Sequence, residues 1–100
     1  MPKIRHGCLL NINYKEGSPN FREFFDEARK MSDAIPMVKE YHQYRQTDDA
    51  CPYKYGFIQE FNSVEDYQKF FEHPKHTEYG EKYWASGVKD FMDFNFVEFD

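Results

Sequence analysis

The chain has 100 residues, of which 40% are hydrophobic and 31% charged, a balance typical of one folded domain over residues 1–100. Its net charge of −5 excludes unspecific binding to nucleic acid or to an anionic membrane, since both need a basic surface. Aromatic residues are unusually frequent: 11 Phe, 8 Tyr and 1 Trp make up 20% of the chain. The core is therefore expected to consist largely of rings.

The sequence contains no recognisable signal for a membrane or for export. No apolar run approaches the roughly 20 residues of a membrane span. The N-terminal residues lack the apolar stretch and cleavage site of a signal peptide. Cys8 and Cys51 are too few for a disulfide framework, and no CxxC pair indicates zinc. The sequence predicts a cytoplasmic protein that does not bind membranes.

The first half of the chain predicts a strand, a helix and a second strand. Apolar and polar residues alternate over residues 4–14, as in a strand with one buried face. Ser18 as N-cap, Pro19 in the first turn and an apolar stripe at helical spacing predict a helix over residues 19–34. Residues 38–47 carry fewer apolar residues but predict a second strand.

The second half predicts a strand, a broken helix and a last strand. Residues 53–62 alternate again, and the short helix that follows them ends at His73-Pro74. A further helical piece is predicted over residues 76–86, with Gly87 as its C-cap. Residues 91–99 are rich in rings on both parities and predict the last strand.

The element order is β-α-β-β-α-β, the ferredoxin-like α+β arrangement of a four-stranded antiparallel sheet with helices on one face. The last strand is apolar on both faces, which implies a sheet covered on both sides. A second copy of the chain is the natural cover, so the sequence predicts a homodimer. RNA-binding RRM domains share this order, but residues 53–61 hold no basic-aromatic run and the chain is acidic.

Three places in the sequence could carry chemistry. His6 lies on the apolar parity of the first strand, either as a hydrogen-bonded core group or as a titrating group in a pocket. His73 and His76 flank the break at Pro74, where they shape a corner, face a cavity under the helices, or share a metal ion for which no third ligand is evident. Asp93 in the last strand is an edge charge that discourages aggregation, or the partner of an imidazole.

Together these residues resemble the stress-responsive dimeric α/β-barrel family, known as Dabb. The resemblance rests on Ile4-Arg5-His6, Ile35-Pro36, Phe61-Asn62-Ser63, His73-Pro74-Lys75-His76 and Asp93. It covers nearly the whole chain, and the HPxH corner with the early strand histidine is its most specific part. The family implies a ferredoxin-like protomer whose sheet packs against the sheet of a second copy, forming a dimeric barrel.

Function varies within that family, which includes stress-responsive proteins and cofactor-independent polyketide cyclases that close a linear chain by aldol condensation. Similarity to the cyclases implies three catalytic residues: His76 as general base, Asp93 as its orienter and His6 at the pocket wall. The cyclases carry a catalytic tyrosine where this sequence has Phe70, and a phenyl ring donates no hydrogen bond. Tyr67 or Tyr79 would have to supply the phenol.

Three functions are compatible with these residues. The first is a non-catalytic dimer that binds a small apolar or aromatic molecule between sheet and helices. The alternative is a cofactor-independent cyclase-like or lyase-like enzyme with His76 as general base. A third, an oxygenase with His6 or His76 as haem ligand, is weaker, and the prediction includes no cofactor and no metal. The residues expected to contact the ligand are Cys8, Leu10, Phe24, Phe25, Tyr67, Phe70, His73 and Tyr79.

Overall fold

A computed structural model describes residues 3–99; Met1, Pro2 and Asp100, the ends of the predicted domain, lie outside the described residues. The strands are β1 (Ile4–Ile12), β2 (Glu40–Arg45), β3 (Tyr55–Phe61) and β4 (Val88–Phe96). The helices are α1 (Pro19–Ala34), α2 (Val64–Glu72), α3 (Pro74–Tyr79) and the single turn α4 (Ala85–Gly87). A π-helical turn, Gly80–Trp84, joins α3 to α4.

The four strands form one antiparallel sheet in the order β2-β3-β1-β4. The helices pack on one face of it, which confirms the predicted ferredoxin-like α+β arrangement. Strand β1 lies in the interior of the sheet, and its alternate residues from Ile4 to Leu10 are buried on the helix side. His6 is among them, 7% exposed, as its parity predicts.

Helix α1 begins and ends where the sequence predicts. The Ser18 hydroxyl accepts a hydrogen bond from the Phe21 N–H at 3.3 Å, and Pro19 fits the first helical position because its missing N–H has no partner there. The helix buries Phe24, Phe25 and Ala28 against the sheet. These contacts form the main core beneath the helix.

The corner between α2 and α3 is organised by one histidine. His73 ends α2, and its Nδ1 accepts a hydrogen bond from the Lys75 N–H at 3.1 Å, so the same residue caps α3. Helix α3 begins at Pro74 rather than at the predicted residue 76, since proline suits the first turn of a helix.

Gly87 does not have the role that the sequence predicts for it. It is the last residue of α4 and is followed at once by β4, which starts at Val88 rather than at residue 91. Among residues 3–99 only Gly17 has a positive φ, so Gly87 is not a left-handed cap. A Cβ on Gly87 would lie 2.9 Å from Cδ2 of Phe24, which shows that close packing on α1 requires glycine here.

The sheet face opposite the helices, the outer face, combines an apolar region with one charged row formed by Glu40, Glu60 and Arg5. It carries Leu9, Tyr44, Ile58, Met92, Phe94 and Phe96. Met92 and Phe96 are 56% and 62% exposed. The ring of Phe94 lies directly over Gly7, where a Cβ would clash with it.

None of the helices within residues 3–99 is long and apolar enough to cross a bilayer.

Candidate functional site

A cavity of about 300 Å³ lies between the helix side of the sheet and the helices. Most of its wall consists of aromatic rings, which come from α1, α2 and α3, from β2, β3 and β4, and from the π-helical turn. A few polar side chains interrupt the apolar wall: His6, Tyr41, Gln59, Tyr67, His76 and Asp93. A largely apolar cavity with a few convergent polar groups is typical of a small-molecule site.

The cavity brings together most of the residues that the sequence singles out. Its wall includes His6, His76, Asp93, Phe24, Phe25, Tyr67, Phe70 and Tyr79. Cys8, Leu10 and His73 do not line it, so the prediction that they contact a ligand is not supported by the geometry. Cys8 and Leu10 are completely buried in the core, where side chains of α1 cover them, and His73 is engaged at the α3 cap.

Cys8 has the character of an inert core thiol. Burial raises its pKa far above the usual range, and the neighbouring Asp93 carboxylate raises it further. The thiol therefore stays protonated at neutral pH, and only a thiolate is strongly nucleophilic.

His76 is held as a neutral base. Its Nδ1 lies 3.0 Å from the carbonyl oxygen of Phe71. Because a carbonyl oxygen only accepts, Nδ1 carries the proton and Nε2 keeps a free lone pair. Burial lowers the His76 pKa below its ordinary value, and the charge that His6 can carry lowers it further. The hydrogen bond to the Phe71 carbonyl and, more weakly, the charge of Asp93 oppose these effects only in part. The ring is therefore uncharged at neutral pH and can take up a proton.

The His6 ring is likewise oriented by a hydrogen bond, in this case to a residue of β4. The β1–β4 register places Asn95 beside it, and His6 Nδ1 lies 2.9 Å from Asn95 Oδ1. Burial lowers the His6 pKa, whereas the hydrogen bond to Asn95 and the charge of Asp93 act in the raising direction. The structure thus corrects the predicted role of Asp93: Phe71 and Asn95 orient the two imidazoles, and Asp93 acts on them through its charge.

The two corner histidines have separate partners, since His73 caps α3 and His76 faces Phe71. Within the described part of the chain, no three His, Cys, Asp or Glu side chains lie close enough together to hold a metal ion.

The two tyrosines predicted to replace the missing phenol differ in their surroundings. The Tyr67 ring lies 4.9 Å from the His6 ring; burial is the main cause of its raised pKa, and a hydrogen bond to Asn95 acts in the lowering direction. Tyr79 donates its hydroxyl proton to the Phe24 carbonyl at 2.9 Å, so that hydroxyl is engaged in the core. Phe70, 2% exposed, packs its ring 4.6 Å from that of His76.

Sequence reasoning missed several residues of the cavity wall, namely Ala28, Met31, Tyr41, Phe57, Gln59, Phe71, Gly80, Trp84 and Phe91. Gln59 has a signal that could have revealed it: it is a polar residue on the same parity as Tyr55, Phe57 and Phe61, the apolar side of β3. Trp84 reaches the cavity by way of the π-helical turn, which carries no comparable signal in the sequence.

Comparison with known proteins decides the family. The family model described as Stress responsive A/B Barrel Domain, or Dabb, matches residues 4–98. The chain belongs to the Dabb family. This confirms the resemblance that the HPxH corner and the early strand histidine indicate. No curated protein matches the sequence.

Solved structures agree with the Dabb fold. A Dabb family protein with a ferredoxin-like fold from Mesorhizobium loti superposes with a TM-score of 0.95, at 26% identity over 100% of both chains. The hydroxynitrile lyase of Passiflora edulis gives 0.86, at 15% identity over 99% of this chain and 95% of that one. A dimeric ferredoxin-like protein of unknown function from Thermobifida fusca gives 0.80, at 19% identity over 97% and 92%.

Proposed function

We propose that this Dabb protein binds a small, partly aromatic molecule in the cavity between its sheet and its helices. The observation that carries the proposal is the cavity itself, about 300 Å³ in volume and walled mainly by rings. This is the lower end of the range of about 300–1,000 Å³ that is usual for small-molecule sites. Burial of apolar surface and offset or edge-on ring contacts supply the binding energy.

The proposal includes a homodimer formed through the outer face. Met92 and Phe96 leave large apolar side chains exposed there, next to a half-buried Phe94. Contiguous apolar surface of this kind is typical of an interaction site. A second copy presents the same apolar face, and the Thermobifida fusca neighbour is described as dimeric.

The binding proposal can be tested with a reporter that the protein already contains. Trp84 is the chain's single tryptophan and lines the cavity, so its fluorescence responds to an occupant. A panel of phenols and aromatic acids is titrated while Trp84 emission and the melting temperature are recorded. We expect at least one compound to quench the emission and raise the melting temperature, because a ligand that binds only the folded state stabilises it.

A variant with a filled cavity provides the control. Ala28→Phe places a ring in the cavity and is expected to abolish the fluorescence response, whereas Ala34→Phe, on the exposed surface of the same helix, keeps it. A wild-type protein that responds to no compound, or an Ala28→Phe variant that responds as wild type does, would contradict the binding proposal.

A second candidate function is favoured by the tautomer of His76. A neutral imidazole with a free Nε2 in an apolar cavity is suited to remove a proton from the carbon next to a carbonyl group. The resulting carbanion attacks a second carbonyl of the same molecule, forming a C–C bond, and the imidazolium returns the proton to the new alkoxide. Tyr67 supplies a hydroxyl to the carbonyl oxygen in this scheme. The Passiflora edulis lyase is an enzyme with the same fold.

A further inference from the structure

Gln59 lines the cavity from the sheet side. The strand registers place four polar side chains side by side across the sheet, in the order Tyr41, Gln59, His6 and Asn95. Gln59 is 1% exposed and belongs to the cavity wall, so bulk water does not reach it. A buried amide has to find its hydrogen-bond partners inside the protein or on a bound molecule.

Only the nitrogen of the Gln59 side-chain amide has a hydrogen-bond partner. Its Nε2 donates a hydrogen bond to Ser32 Oγ at 2.8 Å, a contact that fixes the side chain against α1. Among the side chains of residues 3–99, Gln59 Oε1 is the one buried nitrogen or oxygen without a hydrogen-bond partner. Leaving such an oxygen unpaired is unfavourable, so a group that donates to it gains binding energy.

Neither neighbour of Gln59 in this row, Tyr41 or His6, donates a hydrogen bond to Gln59 Oε1. Tyr41 donates its hydroxyl proton to Gln43 Oε1 at 3.0 Å. His6 directs its Nδ1 proton to Asn95, which leaves its Nε2 as an acceptor. The free Nε2 of His76 is likewise an acceptor. These groups supply no donor to Gln59 Oε1, so a complementary molecule has to bring one.

We propose that Gln59 determines the specificity of the cavity by accepting a hydrogen bond from a hydroxyl group of a neutral phenol. This inference rests on the proposed binding function and adds the chemical class of the ligand. The rings of the wall select an aromatic body, and Gln59 Oε1 selects a hydroxyl over an ether or a bare ring. A site built to bond a hydroxyl discriminates strongly against an analogue that lacks it.

The test compares two probes of nearly the same shape, 4-ethylphenol and its methyl ether 4-ethylanisole, by isothermal titration calorimetry. We expect the wild-type protein to bind the phenol about tenfold more tightly, since a single net hydrogen bond contributes roughly that factor. Gln59→Met keeps the length of the side chain but removes the acceptor, and it is expected to reduce the preference to about one, with binding of the ether unchanged or stronger.

Ser32→Ala is the matched control. It removes the same Gln59–Ser32 hydrogen bond but leaves the acceptor in place, so the phenol remains preferred. Equal wild-type affinities for the two probes, a preference for the ether, or a preference that persists in Gln59→Met would each overturn the role of Gln59 while leaving the binding function intact. If the wild-type protein binds neither probe nor any compound of the fluorescence panel, the binding function fails as well. The wild-type ratio tests the proposal even if Gln59→Met does not fold.

Discussion

The Nδ1 of His76 lies 3.0 Å from the carbonyl oxygen of Phe71, across the corner that joins α2 to α3. The contact is local, because the break at Pro74 turns the chain back on the end of α2. It fixes the tautomer without a carboxylate, so the imidazole can act as a base in an apolar cavity. Its proton-accepting nitrogen is the atom on which the enzymatic alternative depends.

The first prediction concerns that nitrogen. If the protein is an enzyme, it accelerates exchange of the α-protons of an aryl methyl ketone for deuterium, measured by proton NMR. His76→Gln removes the base and is expected to slow this exchange by about 10²–10⁴-fold, the usual contribution of a well-placed general base.

His73→Asn is the matched control for the His76 variant. It changes the other histidine of the corner, which lies outside the cavity wall, and asparagine is itself a good N-cap. This variant should exchange protons at the wild-type rate. A His76→Gln protein that is as active as wild type would rule out His76 as the base.

A second prediction is a loss of stability as the pH falls through 6.5. Burial lowers the pKa values of His6 and His76 below their ordinary value of 6.5 in the folded protein. Between the lowered values and 6.5 the unfolded chain binds more protons, so the free energy of unfolding decreases as the pH is lowered. Below the folded pKa values both states are protonated, and the decrease levels off.

Urea denaturation at pH values on either side of 6.5 measures this effect. The double variant His6→Gln, His76→Gln should show a flatter dependence in that range. A separate loss of stability is expected at lower pH, because the hydrogen bond from Arg45 lowers the pKa of Glu16 below 4.5 in the folded protein. The double variant should keep this second loss, because it does not change Glu16 or Arg45. Equal slopes for wild type and double variant near 6.5 would show that the two imidazoles are not the cause.

The fold follows from the sequence because the periodicities are local. Alternation over β1 already turns His6 inward, and Ser18 with Pro19 already fixes the start of α1. The site follows only in part. Which residue of β4 stands beside His6 depends on the register of two strands far apart in sequence, and a shift by two residues exchanges Asn95 for Asp93. The resemblance implies Asp93 as the orienter of His76, whereas the structure pairs His76 with the Phe71 carbonyl and His6 with Asn95.

Tertiary packing explains why the structure differs from the sequence predictions for Cys8, Leu10 and Gly87. Cys8 and Leu10 share the parity of His6, but contacts with α1 fill the space above them, so they belong to the core. Gly87 has the residue type of a helix cap, although its actual requirement is the close approach of Phe24. Neither fact can be obtained from a pattern within one element.

A third prediction separates two glycines that are close in the chain. Gly87→Ala places a Cβ 2.9 Å from the Phe24 ring, and overpacking of this kind destabilises by about 1–3 kcal/mol. At Gly80 the backbone is right-handed helical, with φ −57° and ψ −46°, and a Cβ meets no atom within 4 Å. Gly80→Ala should therefore stabilise by about 0.4–1 kcal/mol. Urea denaturation measures both, and a fully stable Gly87→Ala protein would contradict the packing argument.

The last prediction concerns the outer face, where a homodimer requires apolar surface to meet its copy. Phe96 is 62% exposed in the single chain, so Phe96→Glu costs the folded protomer little. In a dimer the same change puts a carboxylate of each copy into the interface, and Arg5, opposite residue 96 on β1, already forms an ion pair with Glu60. Removing this carboxylate from water is unfavourable, so sedimentation at micromolar concentration should shift from dimer to monomer. Val64→Glu, at a 48% exposed position on α2 away from the sheet, should stay dimeric. A wild-type protein that sediments with the mass of one chain would reject the dimer, and a dimer that survives Phe96→Glu would place the interface elsewhere.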